Sequence, residues 1–221
     1  MGDVGLDWIL FDLQHGVLDI QIATTMIQAM SYSRSVPIVR VPSNDLGIIN
    51  KVLDVGAQAI VVPLVNSRED AEKAVHSSMY PPKGIRSWGQ RASVRDPEYA
   101  GTANEEIMVI PQIETELALR NLEPIVSTEG VDAVFCGPYD LSMSLGVFRQ
   151  FDSPKFAKAL DSIVSTCEAH DVAPGILAPI GPVERAIERG FTLISLGGDL
   201  PMLTGTVTRA LENAKNASKN K

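Results

Sequence analysis

Cysteine, histidine and aromatic side chains are scarce in this chain of 221 residues, which has two cysteines, three histidines and 5% aromatics. Cys136 and Cys167 have no CxxC or Cys/His spacing, so neither a zinc site nor a disulfide framework is indicated. Both are expected to be reduced, buried and apolar in role. Long hydrophobic runs are also missing: the apolar stretches reach about five to seven residues, against the roughly 20 that span a bilayer. No basic segment followed by an apolar one opens the chain, so no secretory signal is read and a cytoplasmic protein without membrane contact is expected. Basic excess is lacking too. The 19 Lys and Arg against 27 Asp and Glu leave a net charge of −8 with no basic stripe, which argues against a nucleic-acid partner. There is no GxSxG, no P-loop and no lysine at a predicted strand end, so hydrolase, nucleotide-binding and Schiff-base readings lack support.

What is present is ordinary globular composition, 45% hydrophobic and 21% charged, arranged in a repeat. Apolar, β-rich runs recur at Trp8–Phe11, Pro37–Val39, Ala59–Pro63, Ile107–Ile110, Val131–Phe135, Val172–Ile176 and Phe191–Leu196, with helix-like segments between them. The runs are nearly continuous in apolarity, as strands buried on both faces require, so the sheet is predicted to be parallel. Helix starts carry caps at Asp19, Ser67, Thr115, Ser153 and Gly181 before Pro182, while Gly56 and Gly190 stand where left-handed C-caps belong. The pattern predicts one domain over 1–221, a TIM (β/α)8-type barrel with seven of its eight strands visible and a frayed tail at about 213–221. The first run starts too near residue 1 for a strand and helix to precede it. Tyr80 to Asn104, with Pro81-Pro82, Gly84, Gly89 and four Arg or Lys, is the exception to the repeat; a connection this long is expected to fold over the mouth of the site.

Polar residues at barrel-strand C-termini face the active site. Here they are Asp12, Gln14 and His15, then Arg40, then Gln112 and Glu114, then Asp140. Glu114 and Asp140 close successive apolar runs just before helix-like segments, so both carboxylates are expected at the same rim. Two carboxylates without His or Cys ligands suit a hard divalent ion such as Mg²⁺ or Mn²⁺, able to polarise a carbonyl. Either acid alone reads as well as a helix N-cap or first-turn acid. His15 reads equally as a histidine hydrogen-bonded to backbone or as a proton carrier titrating near neutrality. Arg40 reads as a structural ion-pair partner or as a planar fork for a carboxylate or enolate oxygen. The Gly197-Gly198 pair before Asp199 is a phosphate site at a helix start or, more simply, tight strand-to-helix geometry. His76 and His170 are expected at the surface.

At these residues the chain resembles the HpcH/HpaI aldolase/citrate lyase family, the metal-dependent pyruvate aldolases. The matching segments are Asp7-Trp-Ile-Leu-Phe-Asp-Leu-Gln-His-Gly, Val39-Arg-Val-Pro-Ser-Asn-Asp45, Val52-Leu-Asp-Val-Gly-Ala-Gln-Ala-Ile-Val-Val-Pro63, Tyr80-Pro-Pro-Lys-Gly-Ile-Arg86, Pro111-Gln-Ile-Glu-Thr115 and Gly137-Pro-Tyr-Asp-Leu-Ser142. The resemblance implies a divalent metal on Glu114 and Asp140, and a pyruvate pocket shaped by Gln112 and the backbone around Pro138 and Tyr139. It further implies Arg40 at the keto or enolate oxygen, and His15, oriented by Asp54, moving the proton. The implied reaction is cleavage of a small 4-hydroxy-2-oxoacid to pyruvate and an aldehyde, in a homo-oligomer, trimer or hexamer, with Asp54 acting across an interface. Leu13-Gln14-His15 stands where many members have Gly-Glu-His, one charge fewer near the metal. The alternatives are an oxaloacetate-type 2-oxoacid decarboxylase of the same family, as in macrophomate synthase-like enzymes, and a catalytically impaired truncated remnant.

Overall fold

The computed structural model of the protein describes residues 1–89, 96–177 and 181–219. Seven parallel strands pair in sequence order: β1 (Trp8–Asp12), β2 (Val36–Arg40), β3 (Ala59–Val62), β4 (Met108–Ile113), β5 (Ala133–Cys136), β6 (Ala173–Leu177) and β7 (Leu193–Ser195). The helices between and after them are α1 (Ile20–Ala29), α2 (Leu46–Asp54), α3 (Arg68–Ser78), α4 (Tyr99–Glu106), α5 (Glu116–Arg120), α6 (Leu122–Val126), α7 (Pro138–Ser144), α8 (Pro154–Ala169), α9 (Val183–Arg189) and α10 (Asp199–Lys219). All seven predicted strands are present. The sheet curls enough that the Trp8 ring of β1 meets the Phe135 ring of β5 edge-on across the interior, with centroids 6.4 Å apart. This is the incomplete (β/α)8-type barrel read from the sequence.

Local chemistry sets the element boundaries. Asp19, Ser67, Thr115 and Ser153 each accept a hydrogen bond from a first-turn amide, of Ile22, Asp70, Ala118 and Phe156 respectively, satisfying donors that a helix start leaves free. The ninth helix starts one residue later than its glycine suggests, with Pro182 at the cap, and ends on Gly190 at φ 107°, a conformation that disfavours a side chain.

The period of two along each strand sorts side chains into two cores. Outward residues such as Val39, Ile60, Val62, Val109, Ile113, Val134 and Ile176 pack against Ile49, Leu53, Ile125, Phe156 and Ile163 of the helices. Inward residues Ile38, Ala59, Val61, Ile110, Ala133 and Phe135, with Trp8, Leu10 and Leu177 beside them, fill the barrel interior. Each fully buried Ile or Leu stabilises the fold by about 1.5–3 kcal/mol. Cys136 and Cys167 belong to the outer core, and burial pushes both thiols up, Cys167 to about 12.

The long connection does not do what was expected of it. Its described part packs at the strand N-terminal end: Ser87 N–H donates to Asn50 Oδ1, Arg86 pairs with Asp54, and Asn104 and Tyr80 exchange hydrogen bonds. The reason is chain direction. The segment follows a helix and leads into a strand, so its described residues lie at the rim where strands begin, whereas strand-to-helix loops make the mouth. Residues 90–95 fall outside the described residues. No described helix is long and apolar enough to cross a membrane.

Candidate active site

The same alternation that fills the interior builds the site. Leu10, Ile38 and Ile110 point inward, so Asp12, Arg40 and Gln112, two residues further on, also point inward at the C-terminal rim, and Glu114 follows just beyond β4. Asp12 and Arg40 are register partners in the β1–β2 pair. Arg40 Nε donates to Asp12 Oδ1 at 2.9 Å and Nη2 to Oδ2 at 2.6 Å, a bidentate pair that fixes the guanidinium plane. Partial burial alone would raise the Asp12 carboxyl. The Arg40 hydrogen bond and charge, with the amides of His15 and Gln14, outweigh it and hold the group below the usual aspartate range.

From Arg40 the contacts run on around the rim. Its Nη1 donates to Gln112 Oε1 at 3.4 Å, and Gln112 Nε2 donates to Glu114 Oε2. Glu114 is 2% exposed, and the Leu64 amide donates to its other oxygen at 2.8 Å. Burial raises the Glu114 carboxyl above the usual range; the Leu64 and Gln112 hydrogen bonds oppose this, and the negative charge of Asp140 adds to it. Asp140 is exposed in the first turn of α7. Two neighbouring carboxylates, one of them buried, with the adjacent arginine engaged by Asp12, have the hard-oxygen chemistry that suits a divalent cation. In the turn after Asp12, the buried Oε1 of Gln14 has no donor among the described residues, so this turn has acceptor capacity to spare.

His15 is exposed, and its amide donates to Asp12 Oδ1 at 3.3 Å, within a turn so tight that a Cβ on Gly16 would stand 2.2 Å from the Asp12 carbonyl oxygen. Pro138 is buried at the first position of α7. The ring of Tyr139 lies edge-on to Phe151 at 5.4 Å with the Arg149 guanidinium over it, so this side chain packs on the following loop. Asp54 stands apart. It ends α2 at the opposite rim and accepts from Arg86 there, so one chain does not bring it to His15.

Three contributors have roles that the local sequence did not reveal. Asp12 was one of several strand-end polar residues, and its bond to Arg40 exists only through strand register. Leu64 adopts φ 56°, a conformation that usually advertises itself by glycine or asparagine, and there it aims its amide at Glu114. Gly137 leaves the space that Glu114 and Gln112 occupy: an added Cβ would lie 3.0 Å from Glu114 Oε2, Glu114 Cβ and Gln112 Nε2.

Comparison with known proteins agrees with this geometry. The family model described as HpcH/HpaI aldolase/citrate lyase matches residues 1–204. The 5-keto-4-deoxy-D-glucarate aldolase of Salmonella paratyphi C is 35% identical over 220 residues, 97% of this chain and 86% of that protein. An HpcH/HpaI aldolase/citrate lyase family protein from Burkholderia cenocepacia has a crystal structure that superposes with a TM-score of 0.91 at 28% identity, covering 97% of this chain and 88% of the other. The citrate synthase SbnG superposes at 0.89 with 29% identity over 99% of this chain and 87% of its own. On these matches the chain belongs to the HpcH/HpaI aldolase/citrate lyase family and is a carbon–carbon lyase of the aldolase class.

Proposed function

We propose that the protein cleaves a small 4-hydroxy-2-oxoacid to pyruvate and an aldehyde at the rim formed by Asp12, Arg40, Gln112, Glu114 and Asp140. The observation that carries this reading is the unbroken chain of polar contacts from Asp12 through Arg40 and Gln112 to Glu114, ending beside Asp140. Glu114 and Asp140 would hold the divalent ion, Mg²⁺ or Mn²⁺, whose chemistry there is Lewis-acid polarisation of the 2-oxo group. Arg40, fixed in plane by Asp12, keeps N–H bonds free on its Nη atoms, which suits the oxygen that gains charge as the C3–C4 bond breaks. Gln112 and the backbone at Pro138 and Tyr139 orient the pyruvate half of the substrate. His15 accepts the C4 hydroxyl proton, directly or through water, as the C4 fragment leaves as aldehyde, and C3 then takes a proton to complete pyruvate. In this reading Asp54 serves His15 of a neighbouring subunit within a homo-oligomer, trimer or hexamer, and the enzyme works in the cytoplasm.

The test is a lactate-dehydrogenase-coupled measurement of pyruvate release with Mn²⁺, Mg²⁺ or EDTA. The substrate panel is headed by 5-keto-4-deoxy-D-glucarate, the compound in the name of the Salmonella relative. It also includes oxaloacetate, because a decarboxylase using the same rim would release pyruvate from it without any aldehyde. Cleavage of at least one 4-hydroxy-2-oxoacid is expected, lost in EDTA and lowered about a hundredfold or more in Glu114→Ala and Asp140→Ala. Full activity in either variant would remove that residue from the ligand set. No pyruvate under any condition would overturn the proposal.

A further inference from the structure

A second polar cluster lies at the strand N-terminal end, around Asp54. Arg86 is 2% exposed and sandwiched between two rings, its Cζ 4.4 Å from the centroid of Tyr80 and 5.4 Å from that of Tyr99. Its Nη1 donates to Tyr99 Oη at 2.9 Å and its Nη2 to Asp54 Oδ1 at 2.9 Å. Among the described residues its Nε has no acceptor and Asp54 is the carboxylate paired with it. A buried cation with one anionic partner holds that partner hard, because rotating the carboxylate away would strand the charge. Asp54 is nevertheless not enclosed: 26% of its side-chain surface is open. From the other side it is capped by bare backbone, since a Cβ built on Gly89 would fall 2.3 Å from Asp54 Oδ2, 2.6 Å from Cγ and 2.9 Å from Oδ1.

An internal ion pair serving only stability has no need of an open, aimed carboxylate. We propose that Arg86 and Gly89 are positioning residues for the aldol step, holding Asp54 in the orientation in which it serves the His15 of a neighbouring copy of this chain. The inference rests on the reading of His15 and Asp54 given above. Within one chain the two residues lie at opposite rims, because α2 runs back against the strands and ends where they begin. A second copy must therefore bring them together. Arg86 fixes one oxygen, the Tyr80 and Tyr99 faces fix Arg86, and Gly89 gives the second oxygen its place.

Gly89→Ala tests this, because the atoms that must yield, Asp54 Oδ2, Cγ and Oδ1, are the end of a side chain and not backbone. Displacing the carboxylate is expected to lower kcat about tenfold or more, with KM held within about twofold and a melt that stays cooperative at a lower midpoint. Differently tagged copies are then co-expressed in pairs and purified through both tags. Gly89→Ala with His15→Ala is expected to regain activity, because mixed oligomers contain sites that combine a native His15 with a well-held Asp54. Gly89→Ala with Asp54→Asn is expected to stay at or below the Gly89→Ala level, since both lesions fall on the same side of the shared site. Wild-type kcat in Gly89→Ala, or recovery with Asp54→Asn, overturns the positioning role. Failure of folded His15→Ala and Asp54→Asn to complement each other instead sinks the reading beneath it, whatever Gly89→Ala does. If Gly89→Ala does not melt cooperatively, Tyr99→Phe replaces it, keeping the ring over Arg86 and removing one hydrogen bond. It is expected to lower kcat several-fold with the same pairing pattern, and wild-type kcat there overturns the role equally.

Discussion

At the scale of single residues, Asp12 and Arg40 show how far identity alone goes. Each was legible as a polar strand end, yet their pairing depends on β1–β2 register between residues far apart in sequence. Asp12→Asn should lose about 1–2 kcal/mol at neutral pH, the worth of a charge-assisted hydrogen bond. The pH dependence follows from the direction of the shift. The folded carboxyl sits below its ordinary 3.8, so the stabilisation is fully present above that value and is lost as pH falls through the lower folded value. Urea midpoints for the two proteins should stay apart from pH 7 down to about 4 and converge below. A gap that persists unchanged into strong acid would mean that the pair is not the source.

At the scale of elements, strand C-termini were readable because alternation and apolarity are local, and helix starts because their caps are local. The turn from β5 into α7 was readable as the end of an apolar run before a helix-like segment, though not as space reserved for Glu114. Gly137→Ala should press on Glu114 and Gln112, which are held by Leu64 and Arg40 and have no easy retreat. Mn²⁺ affinity by calorimetric titration should fall about 10–100-fold, the cost of disturbing groups that orient ligands, while stability drops by about 1–3 kcal/mol for overpacking. Unaltered Mn²⁺ binding would show that the glycine serves the turn and not the ligand. The described part of the connection from Tyr80 to Asn104 was misjudged at this scale: its length pointed to the mouth of the barrel it belongs to, whereas Tyr80, Arg86 and Ser87 pack at the opposite rim.

For the whole molecule, α10 carries an unpartnered apolar stripe. Leu200, Leu203, Val207 and Leu211, spaced three and four apart, are 67%, 64%, 57% and 52% exposed. Among the described residues β1 and β7 each have one unpaired edge. Monomers rarely leave such surface uncovered, which supports the homo-oligomer proposed above. Light scattering should give a multiple of 23.8 kDa. The double variant Leu203→Asp, Leu211→Asp should lower that mass and, with a site shared as proposed, the activity with it. A fully active monomer would end the shared-site proposal.

The sequence by itself determined the strand–helix repeat, the parallel sheet and the set of polar residues at strand ends, because periodicity, caps and apolar runs act over a few neighbouring residues. Only tertiary structure decided which of those residues touch. Strand register joins Asp12 to Arg40, the left-handed turn at Leu64 reaches Glu114 across fifty residues of chain, and antiparallel helix direction sends Asp54 to the far rim beside Arg86. Those contacts join residues distant in the chain, and no local pattern encodes them.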